Sequence, residues 1–146
     1  MAQTFEQFDQ RVADAMIKAN DESGGLPGFL NVKFVEFVPG RLRAEMDVRK
    51  ELLTPFGNIH GGVVAALIDH VLGCVLYPLM KRGQWAATTE FKLNYLAPVK
   101  SGSLIAESSV VSMTRSTAVV RVEVENEGRL AAVALGTLLV RDPKGA

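Results

Sequence analysis

A glycine pair after a histidine, and a single acid inside an apolar run, are the residues of this chain whose types and spacing could do chemistry. Both lie in GNIHGGVVAALIDH, residues 57–70. The run from Gly61 to Met80 is typical of a core helix, where desolvating an unpaired carboxylate costs on the order of several kcal/mol. Asp69 must therefore find donors, become protonated or face a cleft. Such acids are enriched at functional sites, so we expect Asp69 to be catalytic; a structural capping or pairing acid is the alternative.

The glycines indicate a second chemical group at the start of the same helix. Gly61 and Gly62 would let a ligand approach backbone N–H groups that have no partner inside the helix and that lie at the positive end of its dipole. Such N–H groups stabilise a carbonyl oxygen that develops negative charge. Close packing or a turn is the alternative explanation for a bare glycine pair.

Gly61 and Asp69 cannot serve one substrate atom from a single chain. Eight residues at the α-helical rise place them about 12 Å apart along the helix axis. Two antiparallel helices related by a two-fold axis would bring the Gly61 end of one subunit near Asp69 of the other. We therefore expect an obligate homodimer with two composite sites.

The elements that position this helix follow an α+β order. Apolar residues at helical spacing predict an amphipathic N-terminal helix, and they are Phe5, Phe8, Val12, Met16 and Ile17. Two strands precede the long helix, NVKFVEF and RLRAEMDV, and four follow it: QWAATTEFKLNYL, SLIAESSVVSM, TAVVRVEVEN and RLAAVALGTLLV. No third long helix is predicted. This order requires a mostly antiparallel sheet that buries a helix apolar on every side.

The composition argues against several classes of partner. Sixteen basic and sixteen acidic residues are scattered along 146 residues, so there is no electrostatic footprint for nucleic acid or an anionic membrane. The single cysteine, Cys74, excludes an intramolecular disulfide. No secretory signal pattern opens the chain, and Asp69 and His70 interrupt the one run of membrane-spanning length. We expect one cytoplasmic domain over residues 1–146, with no metal and no cofactor.

Two segments resemble a known family, PFGNIHGGVVAALID and TTEFKLNYLAPVKSG. They are similar to hotdog-fold acyl-CoA thioesterases of the phenylacetate-pathway (PaaI-like) group, and the general match runs from about Phe29 to Val140. The most specific feature is His-Gly-Gly with an acid nine residues after the histidine. The resemblance implies a hotdog fold, with an antiparallel sheet wrapped around the long helix. It also implies active sites at the interface of a homodimer, and we expect such dimers to pair into a homotetramer.

The resemblance further implies roles for individual residues. Asp69 matches the acid that acts as nucleophile or as general base for water. Gly61 matches the residue whose N–H polarises the thioester carbonyl. His60 matches a histidine that supports the loop through hydrogen bonds, and Thr88 matches a Ser/Thr position that helps to hold the attacking water.

One position departs from the family pattern. Thr54 stands six residues before His60, where relatives usually carry Asn or Gln. A hydroxyl has one donor and a shorter reach than an amide, so the rate or the choice of substrate is expected to differ. Asn58 could supply the missing amide. We expect Asn58, Gly62 and Val63 to contact the substrate, with small apolar residues forming an acyl tunnel.

Coenzyme A is part of the acyl-CoA substrate, and we expect basic groups to bind its phosphates. Arg115 and Ser116, in a turn between two strands, are the first candidates. Lys81 and Arg82, after the long helix, are the others.

Three alternatives to this function are kept open. His70 and Cys74 lie four residues apart, the spacing of a Cys–His catalytic pair, although a lone cysteine in an apolar helix is usually a core residue. Hydratases and dehydratases of acyl thioesters share the fold but carry a different histidine-and-acid pattern. A non-catalytic acyl-CoA binding or sensing protein is the alternative that is not an enzyme.

Overall fold

The computed structural model describes residues 3–145 as one antiparallel sheet with three α-helices. Helices α1 (Gln10–Asp21) and α2 (Gly25–Leu30) precede strands β1 (Lys33–Val38) and β2 (Arg41–Asp47) and a 3-10 turn at Lys50–Leu52. Helix α3 (Gly61–Cys74) and a 3-10 turn at Tyr77–Leu79 follow. The last four strands are β3 (Trp85–Tyr95), β4 (Ser103–Met113), β5 (Thr117–Asn126) and β6 (Arg129–Arg141).

The six strands lie in the order β1-β2-β4-β5-β6-β3, and every neighbouring pair is antiparallel. Alternate residues of the long strands are buried, among them Leu104, Val122 and Leu138, so one face of the sheet is apolar. Helix α3 contacts this sheet, and its buried residues are Val64, Leu67, Ile68, Val71 and Leu72. The predicted α+β arrangement of a central helix against an antiparallel sheet is confirmed.

The N-terminal helix starts later than its apolar spacing predicts. Phe5 and Phe8 pack against the core but precede α1, which begins at Gln10. Asp9 is the N-cap, because its carboxylate accepts a hydrogen bond of 2.9 Å from the Arg11 N–H. A side chain that satisfies an otherwise unpaired N–H at this point starts the helix there.

The segment NDESGGLPG, residues 20–28, contributes to two helices. Helix α1 continues to Asp21. Its last turn is held to the segment before β1, because the Nδ2 of the buried Asn20 donates a hydrogen bond of 2.7 Å to the Val32 carbonyl. After two glycines the chain forms α2, a short helix that the sequence analysis missed. The last residues of α2 return the chain to the core through Leu30.

The central helix ends earlier than the apolar run suggests. Helix α3 stops at Cys74, and the rest of the run to Met80 forms a 3-10 turn that contains Pro78. Proline lacks an N–H and disfavours helical geometry in the preceding residue, so an α-helix usually ends before it. By length and composition Gly61–Leu79 could cross a membrane, but half of it is buried here and core helices pass the same test.

The prediction that this helix is apolar and buried on every side was wrong for the single subunit. Its sheet-facing side is buried, but Ala65, Ala66, Asp69 and His70 form a stripe at helical spacing that lines an open cleft. Asp69 itself is exposed. Of the three outcomes expected for this acid, the structure shows the third, a carboxylate facing a cleft.

Strand β3 lies at the edge of the sheet and pairs with β6 on one side only, as far as residues 3–145 are concerned. It is eleven residues long, and residues such as Trp85, Lys92 and Tyr95 along it are exposed. A long uncovered edge presents unpaired backbone donors and acceptors to another strand.

Candidate active site

A cleft of about 770 Å³ lies between α3, α2 and the middle of β3. We call it the acid cleft, because Asp69 lines it together with His70 and Thr88. Its other lining residues are Leu26, Pro27, Leu30, Val32, Gly62, Ala65, Ala66, Thr89, Glu90 and Phe91. The wall from α2 and the small alanines of α3 are apolar, so the cleft combines an apolar surface with two carboxylates, Asp69 and Glu90, and two hydroxyls, Thr88 and Thr89.

Asp69 and Thr88 reach the acid cleft from different elements. No residue of the described chain, 3–145, forms a hydrogen bond or ion pair with the exposed Asp69 carboxylate, so both of its oxygens are free for a substrate or water. Thr88 lies where the register between β3 and β6 shifts, between Thr88 and Glu90. Such bulges re-aim side chains and are common beside active sites.

A second, smaller cleft of about 330 Å³ lies at the start of α3. We call it the glycine cleft, because Gly61 lines it together with Asn58 and Tyr95. The remaining lining residues are apolar: Ile59, Val64, Leu96, Ala97, Pro98, Val99, Leu104, Val124, Ala131 and Ala132. Asp69 does not line this cleft, so Gly61 and Asp69 occupy different clefts of one chain, as the helix rise leads one to expect.

The start of α3 leaves one backbone N–H free. The His60 Nδ1 atom accepts a hydrogen bond of 2.8 Å from the Gly62 N–H, and the His60 carbonyl accepts from Val63 at 2.9 Å and from Val64 at 3.4 Å. The Gly61 N–H has no acceptor within residues 3–145. Of the first four N–H groups of the helix, only that of Gly61, which the resemblance implies for the thioester carbonyl, is therefore left without an acceptor in residues 3–145 and open to a ligand.

Thr54, predicted as a site residue, lines neither cleft. Its Oγ1 accepts a hydrogen bond of 3.3 Å from the Phe56 N–H, and its N–H donates to the Asn58 carbonyl at 2.7 Å. The hydroxyl is used to close the loop before α3, because a short side chain bonds its own turn more readily than it reaches outward.

The three residues expected to contact substrate do not share one cleft. Asn58 lines the glycine cleft, and its buried Oδ1 has no partner among the described residues. Gly62 lines the acid cleft. Val63 lines neither cleft, because the helix turns it away from both, and Val64 takes the place expected for it.

The two best-placed basic residues share a third cleft of about 500 Å³, which we call the cation cleft. Arg115, in the turn between β4 and β5, and Lys81, after α3, both line it, together with one acid, Glu6. Ser116 and Arg82 do not line it. Sequence alone had placed Arg115 and Lys81 apart; the structure brings them together.

His70 is tied to the N-terminal helix rather than free for catalysis. Since the Asn20 Nδ2 donates to Val32, its Oδ1 faces the His70 Nε2 at 3.0 Å, and this assigns the proton to Nε2. Burial lowers the pKa of His70, and the charge of Asp69 opposes that shift. The His70 Nδ1 lies 3.9 Å from the Cys74 Sγ.

We expect that Cys74 can be replaced by alanine with little loss of activity. Burial, together with the nearby Asp69 charge, raises the pKa of the Cys74 thiol to about 12, so the nucleophilic thiolate is scarce at neutral pH. We expect the kcat of Cys74→Ala to stay within about twofold of the parent, since the substitution changes no group that meets substrate. Steady-state kinetics check this, and a hundredfold loss would restore the Cys–His pair as a catalytic candidate.

Two groups of residues that line these clefts were not predicted from the sequence. Tyr95, at the end of β3, donates a hydrogen bond of 2.7 Å from its hydroxyl to the Gly61 carbonyl. Leu26, Pro27 and Leu30 of α2 form one wall of the acid cleft. An aromatic residue that ends an alternating strand, or a leucine in a glycine-rich stretch, carries no local signal of such contacts.

Residues 56–133 match the family model of the thioesterase superfamily. Human acyl-coenzyme A thioesterase 13 is 26% identical over 134 residues, which span 91% of this chain and 93% of that protein. The structure of smu.793 from Streptococcus mutans, bound to acetyl CoA, is 30% identical with a TM-score of 0.73 and covers 79% of this chain and 92% of its own. The E. coli PaaI protein from the phenylacetic acid degradation operon superposes with a TM-score of 0.80 at 20% identity, over 92% of this chain and 94% of its own.

Proposed function

Because this chain belongs to the thioesterase superfamily, has the hotdog fold and is a thioester hydrolase, we propose that its substrates are acyl-CoA thioesters with an aromatic or short- to medium-chain acyl group. The acetyl CoA bound by the S. mutans neighbour and the name of the human relative support coenzyme A as the thiol part. The observation that carries the proposal is that the Gly61 N–H and the Asp69 carboxylate both lack a partner within residues 3–145.

In the proposed reaction the thioester oxygen accepts a hydrogen bond from the Gly61 N–H. Asp69 of the partner subunit takes a proton from a water that adds to the thioester carbon, and the negative charge collects on the oxygen at Gly61. The C–S bond then breaks, and the leaving thiolate takes up a proton. That Thr88 shares a cleft with Asp69 favours activation of water over direct attack by the carboxylate, because a hydroxyl there can hold the water.

We propose that two subunits pair antiparallel along β3. The uncovered edge of β3 supplies the backbone groups, and pairing satisfies them. Along this strand Tyr95 marks the level of Gly61 and Thr88 marks the level of Asp69. In a two-fold antiparallel pair the axis passes between a residue and its own copy, so the numbers of facing residues have a constant even sum. An axis at Phe91 places Tyr95 opposite a partner's Ala87, and an axis at Lys92 places it opposite a partner's Thr89. Either register brings Tyr95 next to a partner's Thr88, and so brings the two halves of both sites close together.

The acid cleft is the proposed place of the acyl group, since its α2 wall is apolar. Leu26→Trp should fill part of that cleft and lower kcat/KM for the longest accepted acyl group about tenfold or more, with little effect on acetyl-CoA. Phe29→Trp is the matched control, because Phe29 is on the same helix and equally exposed but lines no cleft described here. Equal effects of both variants, measured over a series of acyl-CoAs, would remove α2 from the acyl site.

The phosphates of coenzyme A are proposed to lie at the cation cleft. Arg115 and Lys81 converge there from two separate segments, and guanidinium and ammonium groups are the usual partners of phosphate. Their exposure suits a ligand part that remains largely in water.

Release of free thiol from a panel of acyl-CoAs, followed with a thiol reagent, tests the proposed function. The protein's own Cys74 contributes little to the signal, because its thiol is partly buried and stays protonated. Turnover of an aromatic or short- to medium-chain member supports the proposal. Tight binding of acyl-CoA without turnover contradicts it and indicates a binding or sensing protein instead.

A further inference from the structure

Tyr95 and Gly61 form a close pair that joins the end of β3 to the start of α3. The Tyr95 hydroxyl donates to the Gly61 carbonyl at 2.7 Å. A Cβ built on Gly61 would lie 2.9 Å from the Tyr95 Oη and 3.0 Å from its Cζ, closer than side chains normally approach. The tyrosine therefore occupies the space that a side chain at Gly61 would take.

This contact limits the backbone freedom of Gly61, which a hydrogen-bond donor at this position must not have. Glycine lets a substrate approach its N–H closely, but glycine also has more backbone freedom than any other residue. A donor for a developing negative charge must instead be held in place before the reaction. Gly61 needs a source of rigidity from outside its own residue.

The peptide that follows Gly61 is fixed at both of its polar groups. Its carbonyl accepts from Tyr95, and its N–H, which belongs to Gly62, donates to the His60 Nδ1 at 2.8 Å. With that peptide plane fixed and the tyrosine ring against the α-carbon, the dihedral angles of Gly61 have little freedom. The direction of the free Gly61 N–H is then determined.

We propose that Tyr95 is a positioning residue that holds Gly61 so that its N–H points at the thioester oxygen. The inference rests on the proposed role of the Gly61 N–H as the oxyanion donor. Tyr95 does not touch the reacting atoms in this account; it acts through the Gly61 peptide. Its loss should therefore affect the transition state more than the binding of substrate.

Tyr95→Phe keeps the ring and removes the hydrogen bond. We expect kcat to fall about tenfold with KM changed less than about twofold, because the lost interaction serves the transition state. Tyr95 is 56% exposed, so the thermal midpoint of unfolding should change little. Tyr77→Phe is the matched control and should keep the parent kcat, since Tyr77 lies in the turn after α3 and lines none of the three clefts.

A double-mutant cycle tests whether Tyr95 acts through Gly61. Gly61→Ala must displace Tyr95 and should lower kcat by itself, whereas Gly73→Ala in the same helix meets nothing within 4 Å and serves as control. Adding Tyr95→Phe to Gly61→Ala should then cost little more, because the geometry is already lost.

Additive effects in the cycle, or a parent kcat for Tyr95→Phe, would overturn the inference. The inference would also be overturned if the mass of Tyr95→Phe in solution showed loss of self-association, because the tyrosine would then stabilise the subunit interface. If the parent protein releases no thiol from any acyl-CoA, the proposed function fails first; if Asp69→Asn is inactive while Tyr95→Phe is fully active, only this inference fails.

Discussion

Asp69→Asn is expected to lower kcat for acyl-CoA hydrolysis by about 10²- to 10⁴-fold, the range seen when a general base is removed. The amide has nearly the shape of the carboxylate but cannot take a proton from water or attack the thioester. Binding should persist, because the apolar wall of the acid cleft and the Gly61 N–H are unchanged. Thiol release under saturating and limiting substrate separates the effects on kcat and KM.

The structure makes this loss interpretable as chemistry rather than unfolding. Asp69 is exposed and forms no hydrogen bond or ion pair with residues 3–145, so replacing it removes no contact that stabilises the subunit. Asp47→Asn, at another exposed position at the end of β2, is the control and should keep the parent rate. An Asp69→Asn enzyme that turns over at the parent rate would exclude Asp69 from catalysis.

Mixing two inactive proteins should restore activity. An Asp69→Ala chain keeps Gly61, and a Gly61→Val chain keeps Asp69, so a dimer of the two contains one intact composite site and one doubly defective site. Random exchange makes half of the dimers mixed, and about a quarter of the parent activity should return. Co-refolding the two chains in equal amounts and measuring thiol release provides the result.

A second mixture shows whether recovery depends on the cross-subunit geometry. Asp69 and Thr88 line the same cleft of one chain, so Asp69→Ala and Thr88→Val chains cannot complement each other into an intact site. Recovery in that mixture, or none in the Asp69→Ala and Gly61→Val mixture when both parents are dimers by mass, would refute the composite site.

Much of the site could be predicted because its residues follow from one local motif. Gly61 and Gly62 open the helix where His60 can cap it, and this depends on neighbours within a few residues. The helix rise then fixes the separation of Gly61 from Asp69 whatever surrounds them. Local geometry of this kind can be predicted from the sequence.

Contacts between distant segments were the part that could not be predicted. Thr54 was assigned to the site by the resemblance, yet its hydroxyl bonds the Phe56 N–H in its own turn. A short hydroxyl side chain can bond its own backbone or a ligand, and the choice depends on the folded loop. Asn58 reaches the glycine cleft from the same loop.

The sequence by itself determined the α+β order, the long apolar helix and the spacing between its first glycine and its acid, because each depends on periodicity or on residues close in the chain. Only the tertiary structure decided that Asp69 faces an open cleft, that α2 walls this cleft, and that Tyr95 fills the space beside Gly61 from 34 residues away. Those features depend on how β3, α2 and α3 pack together, and a side chain's neighbours across a fold are set by packing rather than by its own sequence context.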